Sequence, residues 1–168
     1  MHLNLRTLTL TVAALSASFA GAALAADAAS QITVTDPYVW LTAPGQKTTA
    51  AYLTLKNGDA KDHKLVKADS PAAKTVDLHN HFNEGGVMKM RQVNDIEIKA
   101  KGETALKPGG LHIMLIDAKS LHDGESVPLN LQFEDGSSKK IDAKVRKPGS
   151  EPMPMPGHMS EMHGHMQH

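Results

Sequence analysis

Three pairs of candidate metal ligands lie between residues 79 and 114, and the two members of each pair are separated by one residue. The pairs are His79 and His81, Met88 and Met90, and His112 and Met114. Side chains two positions apart in an extended strand point to the same face, so each pair projects in one direction if its segment is a strand. Thioether and imidazole together suit Cu(I), because thioethers select soft cations and imidazole also binds copper.

Each of these side chains also has an ordinary structural interpretation, because methionine fills gaps in cores and single histidines are usually structural. The distribution of methionine argues against that interpretation. After the first residue, every methionine lies either in this stretch or in the C-terminal tail, and histidines accompany it in both places. Around the last pair, Leu111, Ile113 and Leu115 alternate with the two ligands, which predicts a core face on the opposite side of that strand.

Short strand-like segments joined by turns predict an all-β sandwich or barrel. No segment shows an apolar period of 3.6 residues over three turns, and Asn57-Gly58 and Asp135-Gly136 are turn dipeptides. Pro37 predicts an edge strand or a bulge, and residues 26–31 are predicted to be a short flexible lead. The predicted strands are 32–40, 51–55, 63–68, 74–82, 87–93, 96–98, 111–116, 126–133 and 141–145.

Composition excludes several classes of protein. The 18 basic and 18 acidic residues balance, and no basic stripe is visible, so nucleic acid is not predicted as a partner. The chain has no cysteine, which excludes a blue-copper site and a thiolate zinc site. Any metal site must therefore use neutral nitrogen, thioether or oxygen ligands.

Residues 1–25 are predicted to be a secretory signal peptide. Arg6 precedes an apolar, alanine-rich run, and Ala23-Leu24-Ala25 fits the small-x-small cleavage pattern. Cleavage after Ala25 is preferred, and cleavage after Ala26 is the second choice. An uncleaved membrane anchor is the alternative, but the apolar run is short and lacks a basic flank. The signal predicts a periplasmic protein.

The composition changes abruptly after Pro148, which divides the chain into a signal (1–25), a β domain (26–148) and a tail (149–168). Prolines alternate with methionines over residues 152–156, which favours extended chain and predicts a tail that is disordered without metal. His-rich tracts of this kind are typical of metal binding. The candidate ligands of the tail are His158, Met159, Met162, His163, His165, Met166 and His168.

The spacing of the candidate ligands between residues 79 and 114 resembles that of the periplasmic copper chaperones of the PCuAC family. Their pattern is a His, ten residues, a Met, twenty-one residues, and then His-x-Met. Ten residues separate His79 from Met90, twenty-one separate Met90 from His112, and Met114 completes the pattern. The resemblance extends over roughly residues 32–147.

The resemblance implies a cupredoxin-like, immunoglobulin-like Greek-key β-sandwich that binds one Cu(I) through His79, Met90, His112 and Met114. His81 and Met88 are additional candidates. It further implies a monomeric copper chaperone, not an enzyme. Such a chaperone delivers copper to subunit II of cytochrome c oxidase, for assembly of its CuA site, or to another copper chaperone. A His/Met-rich tail in this family is linked to a second copper, which could be Cu(II).

This chain departs from the family pattern at three places. His81 stands where members often have methionine, Leu111 where many have tyrosine, and residues 38–40 replace an aromatic-x-Arg pattern. None of these changes removes a ligand of the four. The additional imidazole of His81 favours Cu(II) more than a thioether would.

Two other functions remain open from the sequence. One is passive copper sequestration in a resistance protein without a specific acceptor. The other is a copper oxidoreductase that uses His79, His81 and His112, although no general base is evident near them. His63 and His122 lie among polar residues outside the pattern and are predicted to be surface residues.

Overall fold

The computed structural model describes residues 27–149, which form an all-β domain that begins with one helical turn. The all-β prediction is confirmed, and every predicted strand corresponds to an observed one. The four-residue strand Glu103–Leu106 was not predicted, because its short sequence has no clear alternation. The elements are α1 (Ala28–Gln31), β1 (Ile32–Trp40), β2 (Thr48–Asn57), β3 (His63–Asp69), β4 (Ala73–Glu84), β5 (Val87–Gln92), β6 (Ile96–Ile98), β7 (Glu103–Leu106), β8 (His112–Ala118), β9 (Ser126–Phe133) and β10 (Ser138–Arg146).

The strands hydrogen-bond in the order β5-β4-β8-β2-β1-β10-β9-β3-β6, and β7 pairs with β2 beside this row. β3, near one end of the row, packs against β4 near the other end, so the sheet folds over into an open sandwich. Its interior is filled by side chains such as Phe133, Leu55, Ile113 and Leu115. No helix within residues 27–149 is long and apolar enough to cross a membrane.

The prediction of a flexible lead at residues 26–31 is wrong for the described residues 27–31, because α1 is an ordered helical turn. Asp27 caps it, since the Ser30 N–H donates to the Asp27 carboxylate at 2.7 Å. The Ala28 N–H donates to the carboxylate of Asp135 at 2.7 Å, in the turn between β9 and β10. This anchor is distant in the sequence, so local composition could not reveal it.

The region of Pro37 forms a bulge, as predicted, but not an edge, because β1 lies between β2 and β10. The β1–β2 register shifts between Thr35 and Tyr38, and Asp36 adopts a left-handed conformation with φ 46°. The one extra residue in β1 reverses which side chains face the core. As a result Val39 enters the core, whereas Tyr38 lies opposite Tyr52 on the other face of the sheet.

The prediction that His63 is a surface residue is wrong, whereas His122 is exposed as predicted. The His63 ring lies between two carboxylates, with Nδ1 2.7 Å from Glu134 Oε1 and Nε2 3.0 Å from Asp59 Oδ2. Burial lowers the pKa of His63, but the hydrogen bonds to Glu134 and Asp59 outweigh it and raise that pKa above its ordinary value. His63 therefore links β3 to the residue after β9, and this pairing favours the protonated form of its imidazole.

We expect this ion pair to make stability depend on pH. Because folding raises the pKa of His63, its contribution is complete below about pH 6.5 and is lost as the pH rises through the folded pKa. At pH 6, His63→Gln should lower the free energy of unfolding by about 1–2 kcal/mol more than it does at pH 9. Urea denaturation at the two pH values measures this difference. His122→Gln is the control, and an equal loss for His63→Gln at both pH values would contradict the prediction.

Candidate metal site

The register of the sheet brings the predicted ligands together on one face. β4 and β5 pair so that His81 lies opposite Met90. β4 and β8 pair so that His79 lies opposite His112, and Met114 follows His112 by two positions on the same strand. Directly opposite residues of an antiparallel pair share a face of the sheet. Ligands from three neighbouring strands therefore point to the same side.

The opposite side of β8 is the core, as the alternation predicted. Ile113 and Leu115 are fully buried, Leu111 packs partly against the core, and Leu78 of β4 lies beside Ile113. Packing on the core side fixes β8 against β4, so His112 and Met114 are carried by a rigid strand. The site is thus held by the same alternation that builds the hydrophobic interior.

A cavity of about 560 Å³ opens on the ligand side, and His81, Met90, His112 and Met114 all line it. Trp40 and Tyr52 form an aromatic wall, with ring centroids 4.9 Å apart in an edge-to-face arrangement. The chain between β1 and β2 and the residues just after β10 complete the rim. Three of the four ligands predicted as primary therefore share one cavity, and His81 joins them.

His79 does not line this cavity but lies next to it. Its ring centroid is 5.7 Å from that of His112. Its Nδ1 atom is buried and has no hydrogen-bond partner among the residues that the structure describes. A buried polar atom without a partner is costly, and a site that takes a metal ion or water is one explanation for it.

Met88 lies outside the cavity, although it is only two positions from Met90 on β5. Both side chains are exposed, and Met88 lies opposite Asn83 near the end of the β4–β5 hairpin. The tail ligands that the sequence singled out, from His158 to His168, lie outside the described residues. The structure therefore distinguishes Met90 from Met88 as a candidate ligand.

A backbone carbonyl orients two of the imidazoles. His112 Nδ1 lies 2.9 Å from the carbonyl oxygen of Gly110, and His81 Nδ1 lies 3.3 Å from the same oxygen. Because a carbonyl only accepts, each Nδ1 carries the proton and each Nε2 keeps a lone pair for a metal. The sequence signal was the Pro108-Gly109-Gly110 turn, in which Gly109 has φ 77°.

The electrostatic environment keeps His112 ready to bind a metal. Burial lowers its pKa, and the neighbouring His81 and His79 lower it further, against the hydrogen bond to Gly110. His112 is therefore neutral at pH 7, which is the form that ligates. Within residues 27–149, no three His, Asp or Glu side chains are arranged to hold a metal ion.

The fold of this domain is that of PCuAC domains. The Cu(I)-bound form of DR1885 from Deinococcus radiodurans matches with a TM-score of 0.60 at 33% identity, over 73% of this chain and 83% of that one. The apo form of DR1885 has a TM-score of 0.57 over 84% and 97%. A copper-bound PCuAC domain from PmoF2 has a TM-score of 0.60 at 20% identity, over 70% and 94%. The predicted relationship to this family is confirmed.

The chain belongs to the LpqE-like family, described as "Putative lipoprotein LpqE-like", whose profile matches residues 32–145. A protein of Leifsonia xyli subsp. xyli with a similar lipoprotein description is 33% identical over 109 residues, which cover 64% of this chain and 66% of that protein. An uncharacterised protein of Rickettsia prowazekii is 33% identical over 99 residues, covering 58% and 55%. These matches span less than two thirds of the length of each relative.

Proposed function

We propose that this protein is a copper chaperone that binds Cu(I) through His79, Met90, His112 and Met114 and passes it to an acceptor protein. The observation that carries the proposal is the cavity that Met90, His112 and Met114 share, beside which lies His79, whose Nδ1 has no hydrogen-bond partner within residues 27–149. The copper-bound relatives of the same fold support the choice of metal. Copper is the cargo of this site, not a resident cofactor.

The ligand chemistry suits a carrier. Two thioethers favour the soft monovalent ion, and two neutral imidazoles add affinity without a thiolate that an oxidising compartment could convert to disulfide. The strands fix the ligands, whereas the exposed side chain of Met90 leaves one side of the ion open to a competing ligand. Release can therefore proceed by ligand exchange, without unfolding of the domain.

The rim of the site also suits contact with another protein. Four large apolar side chains of the β4–β5 hairpin are exposed: Met88 and Met90 on the face of the site, and Phe82 and Val87 on the opposite face. Exposed apolar patches of this kind are typical of interaction surfaces. A copper-receiving protein that docks there would bring its own ligands next to Met90. The acceptor in this proposal is subunit II of cytochrome c oxidase or another copper chaperone.

The remaining parts of the chain have roles in the same proposal. Residues 1–25 direct export to the periplasm and are then removed. Residues 149–168 bind additional copper, which could include Cu(II), through their histidines and methionines. Lys147 and Pro148 line the cavity, so this segment begins at the rim of the folded site.

A strain that lacks the protein should lose oxidase activity at low copper. Copper sensitivity with full oxidase activity would instead indicate sequestration.

The test of the folded site uses two methionines of β5 that differ only in placement. Met90→Leu should lower the affinity for Cu(I) about 10-fold or more, because it removes a thioether from the cavity, whereas Met88→Leu should leave it unchanged. Competition with a chromophoric Cu(I) chelator measures the affinity of the full chain. Equal effects of the two substitutions would place the ion outside the cavity.

A further inference from the structure

Two histidines of β4, rather than one, are placed to share an ion with His112. The ring centroids of His79 and His112 are 5.7 Å apart, and those of His81 and His112 are 5.2 Å apart. Two imidazoles that bind one ion through bonds of about 2 Å have ring centroids roughly 5–6 Å apart. Both pairs meet this condition, and both β4 side chains lie on the same face of the strand.

The two histidines differ in their surroundings. His79 lies outside the cavity, and its Nδ1 atom is buried without a partner in the described part of the chain. His81 lines the cavity, lies opposite the exposed Met90, and has its Nδ1 atom 3.3 Å from the carbonyl oxygen of Gly110. We therefore call His79 the inner imidazole, because its Nδ1 atom is buried, and His81 the outer imidazole, because it lines the open cavity.

We infer that His79 and His81 compete for one coordination position on the copper, with His112, Met90 and Met114 as the constant ligands. This inference rests on the proposed function and adds a ligand to it. Movement between the two positions forms one Cu–N bond as the other breaks. Each imidazole ligates in its neutral form, and the exchange transfers no electron, so the oxidation state of copper does not change.

The outer position gives the ion a path to an acceptor. His81 lies directly opposite Met90, whose side chain is exposed on β5, so an ion on His81 lies nearer to solvent than an ion on His79. Exchange from His79 to His81 thus moves copper toward the rim while the number of protein ligands is kept.

The test compares His79→Ala, His81→Ala and the double variant in the full chain, with His122→Ala as an exposed control. His79→Gln serves as a second variant that keeps a polar side chain at that position. Methionine methyl groups labelled with carbon-13 report occupancy of the folded site, even though the tail also holds candidate ligands. Met90 and Met114 should shift on Cu(I) binding, and Met88 is the internal reference. Competition with a chromophoric chelator gives the affinity and the rate of release.

Each single variant should lose less than about 3-fold in Cu(I) affinity, because the other imidazole takes its place. The double variant should lose about 30-fold or more, which exceeds the product of the single losses and reports coupling between the positions. Release to the chelator should be several-fold slower in His81→Ala, which keeps only the inner position. It should not slow in His79→Ala or in the His122→Ala control.

Other outcomes overturn the inference without affecting the proposed function. If His79→Ala and His79→Gln match the double variant and His81→Ala is silent, His79 alone is the second imidazole. If His81→Ala alone matches the double variant, His81 is that ligand. Failure of the proposed function looks different: Cu(I) would then leave the Met90 and Met114 methyl signals of the unmodified protein unchanged.

Discussion

His112→Ala should lower the affinity of the folded site for Cu(I) by at least about 100-fold, because each of the two β4 histidines is placed to share the ion with this imidazole. Loss of a group that only orients a ligand typically costs 10- to 100-fold in metal affinity, and loss of the ligand should cost no less. His112 is the histidine that both His79 and His81 approach within 6 Å. Its removal therefore impairs the site whichever β4 histidine binds.

Competition with a Cu(I) chelator in the full chain measures this loss, with the Met90 methyl signal as the reporter of the folded site. His122→Ala is the matched control, since that side chain is exposed and does not line the cavity. His112 is buried, so the free energy of unfolding must be measured for the same variant. A folded His112→Ala protein that binds Cu(I) within 3-fold of the original affinity would remove His112 from the ligand set.

The local pattern of the sequence was sufficient to predict the strand that carries the site. Leu111, Ile113 and Leu115 alternate with His112 and Met114, and a strand has only two faces. Once the apolar residues are assigned to the core, the ligands must lie on the other side. The same reasoning predicted the other strands with clear alternation, and it missed β7, which lacks it.

Contacts between distant strands could not be predicted from the residues alone. The sequence gives no reason why Met90 should line the cavity when Met88 does not, because that depends on the register of β5 against β4. The place of His81 in the cavity depends on the same register. The orienting carbonyl of Gly110 is a backbone group, and no side-chain pattern reports where it points.

His63 shows a different limit of sequence reasoning. Polar neighbours in the sequence predicted a surface position, but its partners are Asp59 and, at the end of β9, Glu134. Two carboxylates that reach a histidine from separate segments make its burial favourable. Whether a histidine is buried thus depends on partners that are adjacent only after folding.

A substitution on the buried face of β8 should have a second large effect, on stability rather than on copper binding. Leu115→Ala should lower the free energy of unfolding by about 2–5 kcal/mol, since Leu115 is fully buried and its truncation leaves a cavity in the core. Urea denaturation of the metal-free protein measures this change. The ligand face of the strand is not altered, so the folded fraction should keep its affinity for Cu(I) within about 3-fold.

Met114→Ala, one position away, should have the opposite profile. Met114 is only partly buried, so its truncation should cost about 1 kcal/mol of stability, but the cavity loses a thioether and Cu(I) affinity should fall about 10- to 100-fold. If Leu115→Ala weakened copper binding as much as Met114→Ala, the two faces of β8 would not be separable. Opposite profiles would mean that one strand stabilises the sandwich with one face and binds the ion with the other.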